Sequence, residues 1–133
     1  MTKKIVVLLA AAFVAGSCAS IPGPGGRGAP CSSHICQVAV SVDDACHIKV
    51  DPVDLPIAAG NQPVIQWDVS GAEFAANGIE FKQSTGRTFG VPKHGPRRIT
   101  IKDNHDRVGV TYPYNVRVVQ GDKTCSIDPT IMN

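Results

Sequence analysis

The sequence predicts an all-β domain, an antiparallel β-sandwich of about seven strands, on three observations. Apolar and polar residues alternate with period two over short runs from Cys36 onward. Turn residues punctuate these runs about every ten positions. The apolar complement is rich in Val and Ile, whereas Leu occurs only at positions 8, 9 and 55. β-branched side chains favour strands, and with few aromatic residues (Trp67, Tyr112, Tyr114 and four Phe) they must build most of the core.

The elements follow in order. Cys36-Gln-Val-Ala-Val-Ser-Val42 alternates, Asp43-Asp44 supplies turn chemistry, and Cys46-His-Ile-Lys-Val50 completes a hairpin. Pro63 to Val69 follows the turn signal Gly60-Asn61, with Ile65, Trp67 and Val69 on one face and Val64, Gln66 and Asp68 on the other. Ile79 to Lys82 is a shorter strand after Asn77-Gly78, and Arg98 to Lys102 alternates cleanly. Tyr112 to Val119 runs into the turn Gln120-Gly-Asp122, and Thr124 to Ile127 is the last strand. Pro113 cannot donate to a ladder and therefore predicts an edge or a bulge. A small barrel satisfies the same periodicity as a sandwich.

The first 30 residues carry an address. Met1-Thr-Lys-Lys is a charged leader and Ile5 to Ala15 is apolar, with small residues after it, the plan of a secretory signal over residues 1–17. This apolar run is shorter than the roughly 20 residues needed to span a bilayer. Val14-Ala15-Gly16-Ser17-Cys18 resembles the lipobox of bacterial lipoproteins, although Ala15 and Gly16 stand where Leu and Ala are usual. The resemblance implies acylation of Cys18, a membrane partner through that anchor and, because Ala19 is not Asp, a place in the outer membrane facing the periplasm. Ordinary cleavage after Ala19 is the alternative and would release a soluble periplasmic protein. Five Cys is an odd count, and either route removes the unpaired one.

Residues 18–30 read as the acylated Cys and its tether, since positions 19–30 hold four Gly and three Pro. Such a chain would hold a domain about 20 Å from its anchor and about 40 Å when extended. Residues 31–133 are then the sandwich domain. Its four cysteines, Cys31, Cys36, Cys46 and Cys125, predict two disulfides in an oxidising compartment, with three connectivities open. A bond from Cys125 back to Cys36 or Cys46 would contribute roughly 4 kcal/mol by closing most of the domain.

The run from Cys36 to Val42, Cys46, Trp67, Phe74-Ala-Ala-Asn-Gly-Ile-Glu-Phe-Lys82, Tyr112-Pro-Tyr-Asn-Val and Asp128-Pro-Thr-Ile-Met-Asn133 resemble a group of small bacterial exported proteins of unknown function. The resemblance implies an immunoglobulin-like or cupredoxin-like sandwich and transfers no functional residue. Asp106-Arg-Val-Gly109 leading to Tyr112 is similar to the tyrosine corner of such sandwiches, in which a Tyr hydroxyl ties down a loop.

The charge of +2, from 13 Lys and Arg against 11 Asp and Glu, is accounted for by Lys3 and Lys4 alone. A neutral domain lacks the basic field that nucleic acid requires, so no nucleic-acid partner is expected. There is no Gly-x-Ser-x-Gly elbow and no His-Glu-x-x-His, which argues for a non-catalytic binding or structural module without cofactor. Asp43, Asp44, Asp51 and Asp54 lack calcium-loop spacing. The different class weighed is a cupredoxin-like copper carrier. Its tail would be Cys125 to Met132, which has Cys and Met but no His between them. His34, His47, His94 and His105 read as solvated side chains.

One long loop, Gln83 to Arg97, holds the candidate binding residues Arg87, Lys93, His94 and Arg97, with Arg98 beside it. Asp43 to Glu73 holds six acids against Lys49 alone. This polarity predicts an encounter with an anionic envelope polymer or an envelope protein of acidic surface.

Overall fold

A computed structural model describes residues 28–133. The expected signal (1–17), Cys18 and the expected tether up to Arg27 lie outside the described residues. In chain order the strands are β1 (Ile35–Val42), β2 (Ile48–Asp51), β3 (Asp54–Pro56), β4 (Val64–Ser70), β5 (Glu73–Phe81), β6 (Lys93–His94), β7 (Arg98–Lys102), β8 (Thr111–Gln120), β9 (Lys123–Ile127) and β10 (Thr130–Met132). One sheet has the order β2-β1-β4-β7-β6, the other β3-β10-β8-β5, with β9 also paired to β8.

The all-β, two-sheet architecture is thus present, with ten strands where about seven were expected. The extra ones, β3, β6 and β10, span two or three residues, too few for a period to show. The sheets are mixed and not purely antiparallel. After the antiparallel β1–β2 hairpin the chain crosses to the second sheet as β3 and returns as β4, which lies parallel to β1; β3 likewise lies parallel to β10. No helix among the described residues is long and apolar enough to cross a membrane.

The predicted faces are the buried ones. Cys36, Val38, Val40 and Val42 of β1, Ile65, Trp67 and Val69 of β4, and Ile99 and Ile101 of β7 point inward. Against them pack Tyr112, Tyr114, Val116 and Val118 of β8 and Ile131 of β10. Burying each large apolar side chain stabilises the fold by about 1.5–3 kcal/mol. Trp67 and Tyr114 join the two layers: the indole N–H donates to the Tyr114 hydroxyl at 3.0 Å, and the rings meet edge to face at 5.6 Å. The one polar atom on Trp67 is thereby satisfied inside the core.

Local chemistry explains the turns. Asp43 Oδ1 accepts the backbone N–H groups of Ala45 and His47 at 2.9 and 2.8 Å, closing the β1–β2 turn. Gly71, between β4 and β5, has φ +82°, and a Cβ there would stand 2.1 Å from the Val42 carbonyl oxygen. Only glycine fits that approach.

Three local expectations are corrected. Asn77-Gly78 does not precede a strand; it lies inside β5, where the register against β8 shifts between Phe74 and Ile79. The irregularity breaks the alternation that periodicity needs. Pro113 is not on an edge strand, because β8 has β5 on one side and β9 and β10 on the other. It sits where β5 ends: Lys82 N–H donates to the Pro113 carbonyl at 3.0 Å, and the reciprocal bond would need an N–H that proline lacks. Tyr112 does not tie the 106–109 segment directly. Its hydroxyl is 3.2 Å from Thr88 Oγ1, which bonds the Asp106 carboxylate. A carboxylate only accepts, so the chain runs Tyr112 to Thr88 to Asp106.

The disulfides are Cys31–Cys36 and Cys46–Cys125. The second joins the β1–β2 turn of one sheet to β9 of the other, so it staples the layers. Two such bonds in a small domain fit an oxidising environment.

Candidate functional site

The segment Gln83 to Arg97 is not one open loop. Thr88 and Phe89 are buried, and Phe89 bridges to Asp103 while stacking on Phe81 at 4.4 Å. Lys93 and His94 form β6, paired with Thr100 and Ile99 of β7. Two buried anchors, the polar Thr88 and the aromatic Phe89, and a short ladder fold the segment down as the outer margin of the first sheet.

This margin spreads the candidate residues out. Arg87 lies at one end, where its carbonyl accepts from the Asn104 side chain at 2.8 Å. Lys93 sits midway, and Arg97 sits at the other end, its carbonyl accepting from Val69 N–H at 3.0 Å. Measured along β7 from Asn104, beside Arg87, back to Arg98, the margin runs on the order of 20 Å at about 3.4 Å per strand residue. His94 turns back to the second sheet, where its Nε2 donates to the Ala75 carbonyl at 2.7 Å. Arg98 donates to Asp68 at 2.6 Å. Burial would push the Asp68 carboxyl up, but the Arg98 guanidinium and the Gln66 amide hold it below the ordinary carboxylate value.

Three of the five candidates, Arg87, Lys93 and Arg97, are exposed and enter no ion pair among the described residues. Between Gln83 and Lys102 there is no Asp or Glu. The margin is therefore a line of positive charge without ion-pair partners, on a domain whose acids elsewhere offset it. At the Arg97 end it opens into a cleft of about 550 Å³ lined by Ser70, Gly71, Glu73, Arg97 and Gln120. Gln120 is fixed there, since its amide donates to the carbonyls of Asp43 and Gly71, both at 2.9 Å.

Three of the histidines have separate partners: His47 meets Asp43, His94 the Ala75 carbonyl and His105 the Asn61 carbonyl. The His47 backbone N–H on Oδ1, then the His47 ring, whose Nδ1 meets Oδ2 at 3.1 Å, and the Ala45 N–H hold the exposed Asp43 carboxyl below its ordinary value. Among the described residues no three His, Cys, Asp or Glu side chains gather as a metal-binding group. Cys125 has its sulfur committed to Cys46, which removes the thiolate that the copper reading required.

The opposite end of the sandwich holds a polar group that sequence reading missed. Asp103 and Thr88 are fully buried and His105 nearly so, in contact with Asn61 and Asn133. These residues come from four separate parts of the chain. The one signal in the sequence was Asp103-Asn-His-Asp106 directly after a clean strand, which reads equally well as a solvated turn. Comparison with protein-family models gives no match to this chain, and comparison with curated proteins gives none.

Proposed function

We propose that this protein is a non-catalytic module of the bacterial cell envelope, anchored through Cys18, that holds an anionic envelope polymer along the β6–β7 margin. The observation that carries the binding reading is the line of exposed Arg87, Lys93 and Arg97, in no ion pair among the described residues, ending at an open polar cleft. Cations spaced along a margin suit a repeating anionic chain better than a compact ligand, and their field accelerates encounter. The cleft lies within the roughly 300–1,000 Å³ of small-ligand sites and can take one residue or terminus of such a polymer. The anchoring reading rests on the lipobox-like run Val14 to Cys18, and cysteine pairing is compatible with it. Cys31, Cys36, Cys46 and Cys125 pair among themselves, so none of the four is left for Cys18.

Retention of the protein on immobilised acidic polysaccharide tests the binding reading. The expected result is salt-sensitive retention that the double variant Lys93→Glu/Arg97→Glu loses and that Arg117→Glu, on the second sheet, keeps. Equal retention of the two variants would overturn it. Intact mass of the protein from its native membrane tests the anchor: a diacylglyceryl-modified Cys18 at the N-terminus is expected, and an unmodified chain beginning at Ser20 would refute it.

A further inference from the structure

The polar end of the sandwich, away from the cationic margin's cleft, contains a defect with a specific remedy. Asp103 Oδ1 accepts two hydrogen bonds, from His105 N–H at 2.8 Å and from Asn133 Nδ2–H at 3.2 Å. Three buried atoms beside them have no partner: Asp103 Oδ2, Asn133 Oδ1 and His105 Nε2. His105 Nδ1 lies 2.8 Å from the Asn61 carbonyl, which only accepts, so in the neutral ring the proton is on Nδ1 and Nε2 carries a lone pair. With Asp103 ionised and His105 neutral, all three orphan atoms are acceptors. Buried acceptors in that state are costly, and the two on Asp103 and Asn133 belong to groups already joined through their other atoms.

We infer that Asp103 and Asn133 form a proton-dependent clasp between the two sheets. One proton taken from solvent onto Asp103 Oδ2 turns it from an orphan acceptor into a donor to Asn133 Oδ1. The carboxylic acid and the carboxamide then pair reciprocally, Asn133 Nδ2–H to Asp103 Oδ1 and Asp103 Oδ2–H to Asn133 Oδ1. A single proton satisfies two of the three orphans, and its loss returns both.

The clasp spans the layers. Asp103 follows β7 of the first sheet and is pinned by its N–H to the Pro63 carbonyl at 2.9 Å. Asn133 follows β10 of the second sheet, its N–H on the Val110 carbonyl at 3.0 Å and its carbonyl accepting from Gly109 N–H. Burial pushes the Asp103 carboxyl up; the His105 N–H and the Asn133 amide oppose this, as does the His105 ring in its protonated form, and the Asp106 charge adds to it. The other titratable neighbours are Tyr112, which reaches Asp106 through Thr88, and Lys102, whose amine is engaged by the Gln62 carbonyl. Arg87 meets this end through its carbonyl. A carboxyl raised in the folded state favours folding fully below its unfolded value of 3.8, and that contribution is lost as pH rises through the raised folded value. The clasp is therefore closed in acid and open towards neutrality.

Carboxyl-carbon NMR of Asp103, with amide hydrogen exchange at Gly109 and Asn133 corrected for intrinsic rates, tests this on the intact chain. Asp103 is expected to titrate above 3.8, with protection of both amides falling about tenfold across that titration, the effect of one net hydrogen bond. Asp103→Asn carries a permanent Nδ2–H for Asn133 Oδ1 and is expected to keep at pH 7 the protection that wild type shows only in acid. Asn133→Ala should abolish the pH dependence at Gly109 by removing the partner. Titration of Asp103 at or below 3.8, or Asp103→Asn less protected than wild type at every pH, would overturn the clasp. So would closure at pH 7 by calcium or zinc ions alone, which would make the orphans a cation site.

Discussion

Removing Cys46–Cys125 should cost more than removing Cys31–Cys36, and the difference can be worked from the chain. The two bonds close sequence separations of 79 and 5 residues. In the chain-entropy account these correspond to about 4.5 and about 2 kcal/mol, a gap of about 2.5 kcal/mol that depends only on the ratio of loop lengths. Packing losses nearly cancel, because each pair has one buried sulfur, Cys46 or Cys36, and one partly buried, Cys125 or Cys31. Against a domain stability of roughly 5–15 kcal/mol, the long-loop bond is a large share.

The assay is guanidinium unfolding of Cys46→Ala/Cys125→Ala and Cys31→Ala/Cys36→Ala, followed by the fluorescence of Trp67, the only tryptophan. With a slope of about 4 kcal/mol per molar, the first variant should unfold about 0.6 M below the second. Midpoints within about 0.2 M of each other, or in reverse order, would refute the loop-closure reasoning.

Tyr114→Phe leaves the Trp67 N–H buried without its acceptor and should lower stability by about 1–3 kcal/mol in the same assay. Burial also pushes the Tyr114 phenol well above its ordinary value, so its absorbance should not titrate while the protein is folded. Gly71→Ala should destabilise well beyond the roughly 1–2 kcal/mol of a left-handed backbone alone, because its Cβ would meet the Val42 carbonyl. Gly60→Ala, at φ +78° with open space around it, should show only that backbone cost; equal losses would refute the clash. Arg98→Ala should change stability by less than about 1 kcal/mol, since the Asp68–Arg98 pair is exposed. Because Asp68 is held low, that small contribution is present above 3.8 and is lost as pH falls through the lowered value, and parallel acid unfolding curves for wild type and variant would contradict it.

The long strands were legible because one face of each is wet. β1 alternates exposed and buried without a break from Ile35 to Val42, and β4 repeats the pattern around Trp67, so period two reports burial directly. The parallel pairing of β1 with β4 was not legible, because periodicity records which face is buried and nothing about the strand alongside. β5 hid for a local reason. Its register shift puts Asn77 and Gly78 inside a strand, and Gly78 is there because a Cβ would come within 2.9 Å of the Ile99 and Phe74 side chains. A residue chosen for close approach looks the same in sequence as one chosen for a turn.

The site divides along the same line. The cations of the 83–98 segment were visible as composition, but their arrangement depended on Thr88 and Phe89, two residues whose burial comes from contacts with Asp103, Phe81 and Tyr112. Those anchors convert a flexible cluster of charge into a line. The geometry in turn divides the five candidates by what each already satisfies: His94 and Arg98 have structural partners, while Arg87, Lys93 and Arg97 keep their charge for solvent. Desolvating a free cation against an anion replaces water with a partner, whereas recruiting Arg98 would first have to break its bond to Asp68. The three free cations are thus the ones whose reversal should change retention on an anionic polymer, and Arg98, though beside them in sequence, should matter least.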